Sequence, residues 1–77
     1  MFYIAVFRAR TQTIIFTNLL KSYGVPVAIV NTPRRINVSC GISARFPAQY
    51  KPQAEAVMQR RHFDTFAGFF PDKKNTI

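Results

Sequence analysis

The chain has 77 residues, 48% of them hydrophobic, and carries 11 Lys and Arg against 3 Asp and Glu. This length allows one domain with a small core, and the hydrophobic fraction excludes a disordered chain. The formal net charge of +8 predicts attraction to anions: nucleic acid, an acidic partner or a small oxyanion. No stretch is apolar enough for a membrane span and no secretory leader is visible, so we expect a cytoplasmic protein.

The first half of the chain predicts a strand, a helix and a second strand. Residues 2–7 are aromatic and β-branched, which favours a strand. Apolar residues then recur with helical spacing from Ile15 to Tyr23, and Thr11 or Thr13 can cap this helix by accepting backbone hydrogen bonds. Gly24 ends the helix, and residues 27–31 form the next predicted strand.

The second half predicts a strand, a helix and a last strand. After a polar connection at 32–40, residues 42–46 form a short strand, and Pro52 suits the first turn of a helix. Residues 63–70 form the last predicted strand, so we place a single domain at 1–70 and a polar tail at 71–77. The order β-α-β-β-α-β predicts a ferredoxin-like α+β sandwich, an antiparallel sheet with two helices on one face.

This order of elements predicts a basic site at one end of the sheet. A helix returns the chain between the first two strands, so the start of that helix and the connection before the third strand share one end. The helix start supplies N–H donors and partial positive charge, and Gly41 can adopt the left-handed conformation that turns backbone N–H groups toward one point. Thr32 and Pro33 stiffen the turn that carries Arg34. The groups expected to support an anion or thiolate there are Arg8, Arg10, Thr11, Thr13, Thr32, Pro33, Arg34, Arg35, Ser39 and Gly41.

Cys40 is the single cysteine of the chain, so it cannot form an internal disulfide. Three interpretations stay open: a small buried apolar residue, a reactive thiol, or an intermolecular link. Nearby arginines favour the thiolate, which is the nucleophilic form. No metal-ligand spacing and no Gly-rich phosphate loop is visible, so we expect neither a metal nor a cofactor.

Four short segments of the central third form a pattern: Gly24 to Val27, Thr32 to Arg34, Ser39 to Gly41, and Arg45. In this pattern the chain resembles a family of small bacterial domains described as putative Se/S carrier protein-like. The resemblance implies that Cys40 accepts sulfur or selenium as a persulfide-type adduct and passes it from a donor protein to an acceptor. Such a carrier is not a stand-alone catalyst. The family tends to have a Ser-Thr-His-type segment after the first strand, where this chain has residues 8–12 without a histidine.

The alternative is a basic interaction module without chemistry. The first strand is apolar on both faces, so the face away from the helices predicts either an oligomer interface or a platform on which RNA bases stack. The third strand lacks the Gly- and aromatic-rich signature of RNA-recognition domains, which favours the oligomer. In that strand Arg45 alternates with Ala44 and Phe46, which predicts that it faces solvent. His62, at a helix-to-strand junction, is interpreted as a structural residue, with proton exchange at Cys40 as its alternative role.

Overall fold

A computed structural model describes residues 1–36 and 41–72 of the chain. Within them lie β1 (Phe2–Phe7), α1 (Arg10–Ser22), β2 (Ala28–Asn31), β3 (Ile42–Pro47), a 3-10 turn (Ala48–Tyr50), α2 (Lys51–Arg60) and β4 (Phe66–Asp72). The strands pair in the order β2-β3-β1-β4, and each neighbouring pair is antiparallel. Side chains of α1 and α2 pack in the same core on one face. The fold is therefore the ferredoxin-like βαββαβ sandwich that the sequence predicts.

The main core lies between the sheet and the two helices. Side chains alternate along β1, so Tyr3, Ala5 and Phe7 point toward this core. The ring centroid of Phe7 lies 5.3 Å from that of Phe16 and 5.4 Å from that of Phe63. Burial of each such ring contributes roughly 2 kcal/mol to stability, so this aromatic cluster holds α1 on the sheet.

The outer face of the sheet, opposite the helices, carries Phe2, Ile4, Val6, Ser43 and Arg45 and has a small core of its own. Ile4 and Val6 are fully buried there. Part of their cover comes from Val30, Ala67 and Phe70, which pack against them. The rest of the described cover comes from the chain after β2, where the N–H of Ile36 donates to the carbonyl of Pro33 at 3.0 Å. This turn lays Ile36, which is 8% exposed, against Ile4 and Val6. The described part of the connection thus folds back across the sheet.

The start of α1 differs from the sequence prediction. The helix begins at Arg10, and its N-cap is Ala9, which makes no side-chain capping bond, so capping by Thr11 or Thr13 is wrong. Thr13 is instead buried with Thr17 on the face that packs on the core. The Thr17 hydroxyl donates to the carbonyl of Thr13 at 2.8 Å, which satisfies it inside the helix. Among the described residues, no helix is long and apolar enough to cross a membrane.

The last strand lies further along the chain than predicted. It begins at Phe66 rather than at residue 63, because Phe63 belongs to a turn in which its carbonyl accepts the Phe66 N–H at 3.3 Å. It continues to Asp72 rather than ending at residue 70. Pro71 is tolerated in it because β4 is an edge strand, where a missing N–H removes no ladder bond on the open side.

Candidate functional site

An ion pair between β3 and β4 lies on the outer face, toward the end of the sheet where β1 begins. Arg45 Nε donates to Asp72 Oδ2 at 2.8 Å, and the two side chains are 29% and 10% exposed. The guanidinium carbon of Arg45 lies 3.7 Å from the centroid of the Phe2 ring, so the cation stacks on the aromatic face. The prediction that Arg45 simply faces solvent is therefore wrong.

The register of the sheet explains this pair. β1 lies between β3 and β4, with Ile4 opposite Arg45 on one side and Phe2 opposite Asp72 on the other. Residues 43 and 45 share the outer face because side chains alternate along β3, and residues 44 and 46 enter the main core. Arg45 can therefore reach over Phe2 to Asp72, and the contact joins three strands.

A groove of about 480 Å³, here named the Arg34–Arg45 groove, opens beside the ion pair. Its walls are formed by the Arg45–Asp72 ion pair and by the end of β2 with the segment that follows it. The lining residues are Val30, Asn31, Thr32, Pro33, Arg34, Arg45 and Asp72. This volume is within the range of roughly 300–1,000 Å³ that is usual for small-molecule sites.

Two hydrogen bonds fix the wall that carries Arg34. The hydroxyls of Thr32 and Ser43 lie 2.6 Å apart and share a hydrogen bond, and Ser43 is fully buried. The N–H of Thr32 also donates to the carbonyl of Gly41 at 2.9 Å. These bonds continue the β2–β3 pairing beyond Asn31 opposite Ile42. The Thr32–Pro33–Arg34 segment is therefore held against β3.

The groove has an excess of positive charge. Arg34 is exposed, and within residues 1–36 and 41–72 its side chain has no hydrogen bond or ion pair. Arg45 is bound to Asp72 through Nε, which leaves its two terminal amino groups as potential donors. Among the described lining residues there are two guanidinium groups and one carboxylate, which is an excess of one positive charge. A planar guanidinium suits the oxygens of a carboxylate, phosphate or similar oxyanion.

A second cavity, of about 340 Å³, lies on the other side of Arg45. It is lined by Phe2, Pro26, Val27, Ala28, Arg45 and Pro47. Arg45 thus borders both cavities. Residues from three of the four segments of the central sequence pattern, at 24–27, 32–34 and 45, meet around this one guanidinium.

The predicted meeting of the α1 start with Arg34 and Arg35 does not occur. Arg34 and Arg35 lie on the outer face, and the Arg35 guanidinium donates to the carbonyl of Pro71 at 2.8 Å. Pro71 is opposite Tyr3 in the sheet, near the start of β1 rather than its end. The physical reason is the burial of Ile36, which draws the turn over the outer face. The residues predicted at the α1 start are Arg8, Arg10, Thr11 and Thr13, on or beside the helix that packs on the other face.

The start of α1 is held to the connection between α2 and β4. Gln12 Nε2 donates to Asp64 Oδ1 at 2.7 Å, and Gln12 Oε1 accepts the Thr65 hydroxyl at 2.6 Å. Arg8, Arg10 and Thr11 are exposed there, as is His62 in the same connection. Thr13 has no exposed surface, so it does not offer its hydroxyl to an anion in solvent.

Two further predictions concern residues around the thiol. Gly41 does not have a positive φ, unlike Gly24 and Gly68, so the left-handed conformation expected of it is wrong. Its carbonyl, held by Thr32, is its contribution to the site. The predictions for Ser39 and Cys40 lie outside the described residues.

The sequence prediction missed Asp72 by assigning it to a tail, and it interpreted Arg45 as a solvent-facing residue near the thiol rather than as the partner of a carboxylate. The sequence does contain features that point to both residues. Arg45 shares its strand face with Ser43, opposite the apolar Ala44 and Phe46, so a buried outer face would need a partner for it. The chain has only 3 acidic residues against 11 basic ones, which makes each carboxylate a strong candidate for an ion pair.

Fold and site together define a small ferredoxin-like α+β protein with a basic groove on the outer face of its sheet. The chain belongs to the family described as putative Se/S carrier protein-like, whose model matches residues 2–67. This confirms the resemblance seen in the central sequence pattern. No curated protein and no solved structure matches the chain.

Proposed function

We propose that the protein is a small carrier of sulfur or selenium that uses the Cys40 thiol as its acceptor. The observation that carries this proposal is the match over residues 2–67 to the family described as putative Se/S carrier protein-like. Cys40 is the only cysteine in the chain, so a thiol-based carrier has one candidate nucleophile. Carrier chemistry needs an accessible thiolate and little further machinery.

The transfer is a thiol–persulfide exchange. The Cys40 thiolate attacks the outer sulfur of a donor persulfide, a new S–S bond forms on Cys40, and the S–S bond of the donor breaks. The donor leaves as a thiolate, and Cys40 holds the transferred atom as a persulfide anion, so the exchange involves no net oxidation. With selenium as the cargo, an S–Se bond forms in the same way. In the second transfer the acceptor thiolate attacks the outer sulfur of the Cys40 persulfide, and Cys40 leaves as the thiolate.

The basic groove supports this proposal. Gly41 directly follows Cys40 in the sequence, and its carbonyl is bonded to the N–H of Thr32 at 2.9 Å. That bond fixes the chain next to Cys40 against the segment that carries Arg34. Reactant and product of the exchange are both anions, which positive charge stabilises.

The test is transfer to the intact chain from a cysteine desulfurase supplied with cysteine. Intact-mass measurement should show one added sulfur atom on the wild type, removable by dithiothreitol, and none on Cys40→Ser. Peptide mapping should place the adduct on Cys40. A wild type that stays unmodified, or a Cys40→Ser variant that gains sulfur equally, would refute the carrier function.

The outer face gives less support to the alternative of base stacking on RNA. The Phe2 ring already has the Arg45 guanidinium stacked on it at 3.7 Å, and Ile36 lies over Ile4 and Val6. A platform for bases needs exposed aromatic faces. Oligomer formation, binding of a donor protein and an acceptor, and a cytoplasmic location stay predictions.

A further inference from the structure

The Arg34–Arg45 groove has the features of an anion site: among the described residues that line it, two are arginines and one is acidic. Arg34 is exposed and, in the described part of the chain, its guanidinium is unpaired. Arg45 is held in place by Asp72 and Phe2 and keeps both terminal amino groups as donors. The guanidinium of Arg45 is therefore fixed, the guanidinium of Arg34 is free to adjust, and both border the same groove.

Polar groups of the β2 end add to this arrangement. Thr32 lines the groove and can accept a hydrogen bond from Ser43 while donating its own hydroxyl proton. Asn31 also lines it and carries an amide donor. Hydrogen-bond donors and net positive charge in a cavity of about 480 Å³ fit a small oxyanion.

We propose that this groove binds a second class of donor, a small sulfur oxyanion of the thiosulfate class, which can replace the donor persulfide. The inference rests on the proposed carrier function and adds the chemistry of the donor. Arg34 and Arg45 bind the oxygens, and the outer sulfur of the donor is the atom attacked. The Cys40 thiolate forms an S–S bond with that sulfur, the S–S bond of thiosulfate breaks, and sulfite leaves with the electron pair. Atoms and charge balance, and no external oxidant or reductant is needed.

The first experiment measures binding alone, on the full chain carrying Cys40→Ser so that no transfer can occur. Sulfate serves as the inert probe and is titrated at constant ionic strength in chloride, with amide chemical shifts followed by NMR. We expect saturable shifts centred on Thr32, Arg34, Gly41 and Arg45. Small shifts spread over all surface arginines, without saturation, would overturn the site.

Charge-matched variants then locate the site. Arg34→Gln should weaken sulfate binding about tenfold, because it removes a charge-assisted contact. Arg60→Gln removes the same charge on the helix side and should change the affinity less than about twofold. Asp72→Asn should tighten binding several-fold, because it removes the carboxylate that competes for Arg45. Equal losses of affinity in Arg34→Gln and Arg60→Gln would overturn the groove as the site.

The Arg34 side chain is exposed, so Arg34→Gln should keep the fold of the wild type. The amide spectrum recorded at the start of the same titration verifies this.

The second experiment separates the groove from the carrier function. Wild type is incubated with thiosulfate, and sulfur on Cys40 and released sulfite are both measured. We expect equal amounts, with the half-saturating thiosulfate concentration raised in Arg34→Gln. Sulfate binding without sulfur on Cys40 would overturn thiosulfate as the donor. Loading of Cys40 by the desulfurase without any sulfate binding would overturn the groove while leaving the carrier function intact.

Discussion

Arg45 and Asp72 are 27 positions apart in the chain, yet they meet at 2.8 Å on the outer face of the sheet. Each residue also has a second structural tie, Arg45 to the Phe2 ring and Asp72 to the β1 pairing opposite Phe2. The pair therefore belongs at once to the packing of the sheet and to the wall of the basic groove.

We expect Asp72→Ala to lower the free energy of unfolding by roughly 1–3 kcal/mol, because it leaves a partly buried Arg45 without its carboxylate. The matched control is Glu55→Ala, which removes the Lys51–Glu55 pair on α2. That pair has an N···O distance of 3.4 Å and Glu55 is 53% exposed, so its loss should cost less than about 0.5 kcal/mol. Urea denaturation of the two variants measures the difference, and equal losses would show that the Arg45–Asp72 pair is no more than a surface contact.

The turn that covers the outer face gives a second prediction. Ile36 is 8% exposed and packs on Ile4 and Val6, so Ile36→Ala should cost roughly 2 kcal/mol and increase binding of a hydrophobic dye. Ile29, on the edge strand β2, is 44% exposed. Its replacement by alanine should cost less than about 1 kcal/mol and leave dye binding unchanged. If Ile36→Ala left both stability and dye binding unchanged, the connection would not cover this face.

Most of the element order follows from local patterns. The aromatic and β-branched run at 2–7 gives β1 with its observed bounds, and Pro52 lies in the first turn of α2 as its fixed φ favours. Order and chain direction then determine the sheet, since a right-handed crossover on each half leaves few topologies. These features need no information from distant residues.

The candidate site was harder to predict from the sequence than the order of the elements. Ile36 lies in a polar run, and its burial depends on a gap over Ile4 and Val6 that exists only after the sheet has formed. Asp72 follows a proline, which normally ends a strand, but its pairing opposite Phe2 on an edge keeps it in β4. The anion site was therefore predicted at the start of α1, although the groove lies on the other face of the sheet.

Gly41 is the residue next to Cys40, and its replacement gives a further prediction. Gly41 lacks a positive φ, and a Cβ built on it meets no atom within 4 Å, so Gly41→Ala should stay within about 0.5 kcal/mol of wild type. Gly24 has a φ of 81°, so Gly24→Ala should cost roughly 1 kcal/mol or more through backbone strain. Thermal and urea unfolding compare the variants. We also expect Gly41→Ala to accept sulfur on Cys40 as wild type does, and a loss of loading in a fully stable variant would assign this glycine a role in transfer.

A donor with oxyanion oxygens and one without them separate two possible roles of Arg34. If Arg34 binds the donor oxygens, Arg34→Gln should raise the half-saturating concentration of thiosulfate about tenfold. It should leave loading from an alkyl persulfide unchanged, because that donor has no oxygens for the guanidinium to bind. If Arg34 acts on the thiol, both donors should load more slowly by the same factor, because the thiolate is common to both reactions. Arg60→Gln is the control for overall charge. The measurement is the rate at which sulfur appears on Cys40 over a series of donor concentrations. The exposed, unpaired guanidinium of Arg34 within the described groove supports the first outcome, and an equal slowing with both donors would contradict it.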